Sequence, residues 1–352
     1  MQRISRVMIS GLATAGLYLM SAGANIGAAG VETGRMKNVV LITPEPVAAV
    51  LAEAESSSPP EESEKPQAEE AAAELKAFIL PEMQAGQTEA FESREDSGET
   101  VLETTIEGGM RIKNETGYYV DAAELLAKGP GISLEAGAPQ ILIIHTHSSE
   151  AYTQAGLDRY EPSDTSRTED TQFNIVRIGD ELTDILTDCG LNVIHDRGIY
   201  DYPSYTGSYT RSGEAIEQYL QSYPSIQIVL DIHRDALGSD GVVYKTMAEE
   251  DGTCASQIML LAGSDDSGLA HPGWQQNLSL ALYLQNAVVL QNPTLMRPVS
   301  LVRERYNQHL TPGSLIVEVG SSGNTLQEAL AAVRLFGRAV GPALAELVKN
   351  EG

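Results

Sequence analysis

Cysteine is close to absent: Cys189 and Cys254 are the only two in 352 residues. That excludes a disulfide scaffold and a four-cysteine structural zinc site, and two unpaired thiols are the simplest reading. Basic charge is also scarce. Twenty-three Lys and Arg face 49 Asp and Glu, a formal net charge of -26. Such a chain is repelled by nucleic-acid phosphates and by anionic lipid unless its acidity is concentrated in one segment. Much of it is. Residues 52–100 hold runs such as Glu61-Glu62 and Glu69-Glu70 with Ser, Pro and Ala between them. These runs lack aromatic residues and offer too little apolar surface to offset chain entropy. They predict a self-repelling tether.

Charge is missing altogether from residues 7–31, which follow Arg3 and Arg6. The run is longer than the usual signal-peptide core and long enough to span a bilayer. The arginines would keep its N-terminus cytoplasmic while the rest is translocated. Cleavage near Ala24 or Ala29 is the alternative to an uncleaved anchor. The expected organisation is a membrane anchor or signal over 1–31, a disordered acidic linker over 32–106, a lead-in segment over 107–138 and the main folded domain over 139–352. With 42% hydrophobic residues the chain can build a sizeable core.

That domain is organised around Ile141-Leu142-Ile143-Ile144, an aliphatic run of the kind found in buried parallel strands, and His145 begins where it stops. If the backbone stays extended, His145 and His147 lie on one side with Cα atoms roughly 6.6 Å apart, and with Glu150 they could converge on one ion. A zinc site is the first hypothesis; solvated loop residues are the bland one. Residues 174–188 carry Ile175, Ile178, Leu182 and Ile185 at helical spacing and end at Gly190, which predicts a crossover helix. Leu191 to Ile194 would be the next strand. Tyr200, Tyr202, Tyr205 and Tyr209 then form a loop entering a helix, either as a wall for a polar ligand or as cover for the core.

The strand-then-histidine pattern returns at Ile228-Val229-Leu230-Asp231-Ile232-His233. Two such strands would place their histidines on the same rim of a parallel sheet, where ligands of α/β proteins bind. A third strand, Leu315 to Gly320, contains Glu318. A carboxylate within an apolar strand either meets a cation or has a raised pKa, and both suit a general base. The alternative is a salt bridge to Arg303 or Arg305. The pattern as a whole predicts an α/β fold, a largely parallel central sheet with helices on both faces.

The motifs His145-Thr146-His147-Ser148-Ser149-Glu150, Asp201-Tyr202-Pro203-Ser204-Tyr205, Asp231-Ile232-His233-Arg234-Asp235, His271-Pro272-Gly273-Trp274 and Val317-Glu318-Val319-Gly320 resemble the stage II sporulation protein P family of spore-forming bacteria. The resemblance runs from about residue 107 to the C-terminus. That family is similar in turn to zinc-dependent N-acetylmuramoyl-L-alanine amidases, so the resemblance implies an amidase-like domain that cuts peptidoglycan with zinc as cofactor. It further implies endopeptidase activity, a role in septal wall thinning during engulfment, stage II sporulation protein D as partner, and a single-pass protein with its catalytic domain outside the cytoplasm. Carried over residue by residue, it makes Glu318 the catalytic glutamate and His233 a zinc ligand. His145 or His147 would be the second ligand, and Glu150 the third, with Glu169 as rival. A histidine left over would stabilise the oxyanion. Arg234, Tyr205, His271 and His309 are candidate substrate contacts, and His195 is expected to be structural. The reading from another class is a catalytically silent wall-binding or scaffold module.

Overall fold

A computed structural model describes residues 100–104, 106, 110–152, 167–239 and 242–349. The expected anchor over 1–31, and the expected linker up to residue 99, lie outside the described residues. The linker boundary at 106 is corrected: Thr100–Thr104 is already a strand (β1), and Ile106 exchanges two 2.8 Å hydrogen bonds with the Gln257 side chain. Among the described residues no helix is long and apolar enough to cross a membrane.

The lead-in reads as expected. Ile112–Asn114 (β2) is followed by Ala122–Lys128 (α1), which Asp121 caps and Gly129 ends. Then come Leu134–Glu135 (β3), Ile141–Ile144 (β4), Ile175–Asp188 (α2), Val193–His195 (β5), Ser208–Ser222 (α3) and Ile228–Asp235 (β6). Gly238–Ser239 (β7), Val242–Glu250 (β8) and Thr253–Ser256 (β9) form a small sheet with β1. Ile258–Ala262 (β10), Trp274–Val289 (α4), Val299–Leu301 (β11), Gly313–Ser321 (β12), Leu326–Ala345 (α5) and Val348–Lys349 (β13) complete the chain.

The central sheet has seven strands in the order β2-β11-β10-β12-β6-β4-β5. Every pairing is parallel except β10 with β12. The four strands β12, β6, β4 and β5 therefore end at one rim, and β2, β11 and β10 end at the other.

Side chains alternate between the sheet's faces. Ile141, Ile143, Ile228, Leu230, Ile232, Leu315 and Val317 join the larger core with α2, α4 and α5. Leu142, Ile144 and Val229 meet Ile216 of α3 on the opposite face. Helix boundaries follow local chemistry. Asn174 caps α2 by accepting from the Val176 amide, and Thr325 and Glu328 close a reciprocal capping box on α5. Cys189 and Cys254 are free thiols.

Candidate active site

Register on the sheet decides which side chains can meet. His233 of β6 pairs with Glu318 of β12, so both point to the face that carries α3, and Asp231, two residues earlier, joins them. His145 goes the other way. It follows Ile143, whose partner on β5 is His195, and both imidazoles turn under α2. Its Nδ1 lies 3.0 Å from the Ile232 carbonyl and its Nε2 2.8 Å from His195 Nε2. Burial, and then the neighbouring His195, lower its pKa to about 3.

The expectation that His145 and His147 share one side fails for a geometric reason: the strand stops at Ile144 and residues 146–149 form a turn. Asp201 holds that turn by accepting from the Ser149 amide at 3.1 Å and from its hydroxyl at 2.7 Å. With both ring nitrogens engaged on the far face, His145 is neither with the other candidate ligands nor placed as an oxyanion donor.

The turn instead delivers His147 and Glu150 to the rim. The His147 ring is 5.3 Å from the His233 ring and nearly perpendicular to it, and its Nδ1 is 3.4 Å from Ser208 Oγ. Burial lowers its pKa to about 4, against the pull of Glu150. Glu150 Oε2 stands 3.5 Å from His233 Nδ1 and accepts from the Arg234 amide at 3.1 Å. Burial opposes the charge on Glu150, but His233, then Arg234 and His147, outweigh it and hold the carboxyl well below its usual range. His233 Nε2 lies 2.9 Å from Asp231 Oδ1 in a bent contact, off the line a straight hydrogen bond would take. Burial resists a charged His233, yet Asp231 and Glu150 raise its pKa well above the ordinary value. Glu169 is exposed on the turn before α2, so Glu150 is the carboxylate that faces His233.

Glu318 is not salt-bridged to either expected arginine. Arg303 pairs with Asp266, and Arg305 donates to the Ala270 carbonyl. Although Glu318 as a residue is only partly covered, its Oε2 is buried and has no hydrogen-bond partner. Burial, then Asp235, push its pKa up to about 8 against the pull of His233.

A carboxyl whose folded pKa is raised in this way stabilises the fold fully below about pH 4.5, and that contribution is lost as pH rises through about 8. In the metal-free protein Glu318→Gln should therefore gain stability over wild type by a few kcal/mol at pH 9 relative to pH 4. Thermal unfolding at the two pH values checks this. An equal difference at both would mean that the carboxyl is not held in its neutral form.

The remaining candidates separate. Tyr205 stacks on His147 at 4.4 Å, 57% exposed, and stands at the mouth of the site. Arg234 does not reach the mouth. It shares Ile232's face of β6, is 6% exposed, and its Nε donates to the Ala151 carbonyl, so the structure makes it a clamp on the chain rather than a substrate contact. His271 and His309 lie elsewhere. His271 is 3.3 Å from Asn277 Nδ2 in α4, with a pKa lowered to about 4 by burial and then by His309. They belong to the opposite rim. His195 is structural, as expected, between His145 and Asp180, which is 3.2 Å from its Nδ1.

Sequence reasoning missed Asp231, Asp201 and Arg167. Asp231 was findable, since strand alternation puts residue 231 beside residue 233. Arg167 had no local signal: it reaches Asp201 at 2.6 Å, comes within 3.6 Å of Glu150 and lies over the Tyr205 ring from a distant loop.

The donor set, two imidazoles and a carboxylate, is one that zinc accepts. Two ligands of a tetrahedral zinc at about 2.1 Å lie roughly 3.4 Å apart, and the 3.5 Å between Glu150 and His233 matches that spacing. Even so, among the described residues no group of three or more His, Cys, Asp or Glu closes to metal-holding geometry.

Fold and site together define an α/β protein with histidines and carboxylates gathered on the carboxyl rim of a mixed sheet. The chain belongs to the stage II sporulation protein P (SpoIIP) family, whose model matches residues 36–341. Stage II sporulation protein P of Bacillus subtilis (strain 168) is 24% identical over 203 residues, a match spanning 53% of this chain and 47% of that protein. Among solved structures, N-acetylmuramoyl-L-alanine amidase AmiC2 of Nostoc punctiforme is similar at 14% identity, covering 59% of this chain and 97% of its own, with a TM-score of 0.36. The CwlD amidase from Clostridioides difficile, in complex with the GerS lipoprotein, is similar at 12% identity over 59% of this chain and 98% of its own, with a TM-score of 0.35. At such scores the chemistry of the site has to be read from its own residues.

Proposed function

We propose that this protein is a zinc-dependent peptidoglycan hydrolase that cuts the amide between muramic acid and L-alanine, with His147, Glu150 and His233 holding the ion and Glu318 moving the proton. The observation that carries the proposal is the buried, unpartnered Oε2 of Glu318 beside the Glu150–His233 pair on one rim. When bound, zinc supplies a Lewis acid for the scissile carbonyl and a lower pKa for water. The chain supplies the rest. The Arg234 amide and the Arg167 guanidinium fix the two oxygens of Glu150. Tyr205 walls the mouth and presents a flat ring to the substrate. Burial holds the Glu318 pKa up at about 8, and the charge of a bound cation would draw it down, so that the carboxylate could take the proton of the attacking water and return it to the leaving amine.

Endopeptidase cleavage, action in the septal wall during engulfment, stage II sporulation protein D as partner and membrane attachment through residues 7–31 are parts of the same proposal. A catalytically silent wall binder is the second reading, and the absence of a closed three-residue metal group among the described residues favours it. Mass spectrometry of peptidoglycan digested by the zinc-loaded protein separates them. Stem peptides released at L-alanine support the amidase, additional cuts within the stem support endopeptidase activity, and no release at all supports the binder.

A further inference from the structure

We infer that β1, the strand directly after the acidic segment, is a strap that positions Glu318: docked, it holds the bend behind that carboxyl, and undocked, it releases it. The inference rests on reading Glu318 as the proton-transfer group. Up to Glu318 the strand β12 is regular, and Glu318 itself pairs with Met259 of β10 on one side and His233 of β6 on the other. The register with β6 then shifts before Ser321, and Gly320 takes a left-handed φ of 68°. An irregularity of this kind re-aims the side chains next to it. Whatever holds the bend therefore holds Glu318 in its place.

Two anchors hold it, and both lead to β1. The Gly320 amide donates to the Gln257 carbonyl at 2.9 Å, and the buried Gln257 side chain grips the amide and the carbonyl of Ile106, just beyond β1, at 2.8 Å each. The second anchor is β8. Ser321 Oγ donates to the Tyr244 carbonyl at 2.5 Å, and the Asn324 side chain donates to the Thr246 carbonyl at 3.0 Å and accepts from its amide at 3.2 Å. Tyr244 and Thr246 are the residues opposite Leu102 and Thr104 of β1 in the parallel pairing. β1 has five residues and a neighbour on one side only, so it belongs to the elements that open at low free energy. When it leaves, the Gln257 carboxamide loses both bonds to Ile106 at a buried position, where unpaired polar groups are costly. Gln257 must then move, and its carbonyl takes the Gly320 amide with it.

The test uses the full chain, loaded with zinc for turnover. Leu102→Pro breaks β1 at its centre, and Ile106→Pro removes the amide that Gln257 Oε1 accepts; neither residue belongs to the rim. Hydrogen exchange across Val242 to Thr246 reports whether β1 has left β8, and exchange at Gly320 and Ser321 reports the bend. With β1 undocked the domain should stay folded, the bend should lose protection, and kcat on peptidoglycan should fall about 10- to 100-fold at unchanged KM, the scale set by misplacing a reacting group. An undocked β1 with wild-type protection of the bend and wild-type kcat overturns the inference. So does a loss confined to KM, which would make β1 part of the substrate's path. If both prolines unfold the domain, or neither releases β1, then β1 is a fixed part of the fold and the inference fails. Should the wild type release no stem peptides, the amidase reading fails, and exchange at the bend alone decides whether β1 is a strap.

Discussion

Glu318→Gln should retain its zinc and lose amidase activity by roughly two to four orders of magnitude, the usual worth of a positioned proton-transfer group. Glu318 touches no other side chain by hydrogen bond through Oε2, so an amide there leaves the rest of the rim undisturbed. The amide cannot take the proton of the attacking water. His233→Ala should lose metal and activity together, because it removes the ring that faces Glu150. Metal analysis beside a turnover assay distinguishes the two variants. If zinc leaves with Glu318→Gln, Glu318 is a ligand and the roles of the two carboxylates are exchanged.

Gly179→Ala should be strongly destabilising, although Gly to Ala within a helix ordinarily stabilises by about 1 kcal/mol. A Cβ at position 179 would lie 2.5 Å from both His145 Nε2 and His195 Nε2. Neither ring can yield easily. His145 is held on its other nitrogen by the Ile232 carbonyl, and His195 is flanked by Asp180. Overpacking of about 1–3 kcal/mol, with a buried imidazole nitrogen left unsatisfied at a similar cost, gives about 2–5 kcal/mol. For a domain of this size that is a fall of roughly 5–15 °C in Tm, readable by thermal unfolding. An unchanged Tm would mean that the two imidazoles do not pack under α2 as described.

The half of the sheet that carries the site was the legible half. β4, β6 and β12 are short aliphatic runs ending in His or containing Glu, and a strand that delivers a polar residue at its end announces itself. What failed was the extension of strand alternation past Ile144: the chain turns there, and the sequence marks the turn only through Ser149 and a distant Asp201. Arg234 was misjudged for a related reason. It was named as a substrate contact, whereas alternation from His233 assigns it to the opposite face.

In the other half only β2 and the short helix after it were legible. α4 buries Asn277 and Gln285 along with its leucines, so no polar face marks it as a surface helix. β1, β8 and β9 lie beside the core sheet rather than in it, and only long-range pairing reveals them. Register carried the information about Glu318 that composition lacked. Opposite His233 on the neighbouring strand, its carboxyl shares a face with the candidate ligands.

The single antiparallel junction between β10 and β12 makes the molecule two-ended. Loops after β4, β5, β6 and β12 build the rim where the chemistry is read. The segments after β2 and β10 gather at the far end, where Tyr118 stacks on Trp274 at 5.1 Å and donates to Asp265. Seven hydrogen-bonded strands stand between the two ends, and loops at the far end can lengthen, shorten or change sign of charge without moving a candidate ligand. Variation can therefore accumulate at the two ends separately, since a change of loop at one rim leaves the register of the strands that feed the other in place.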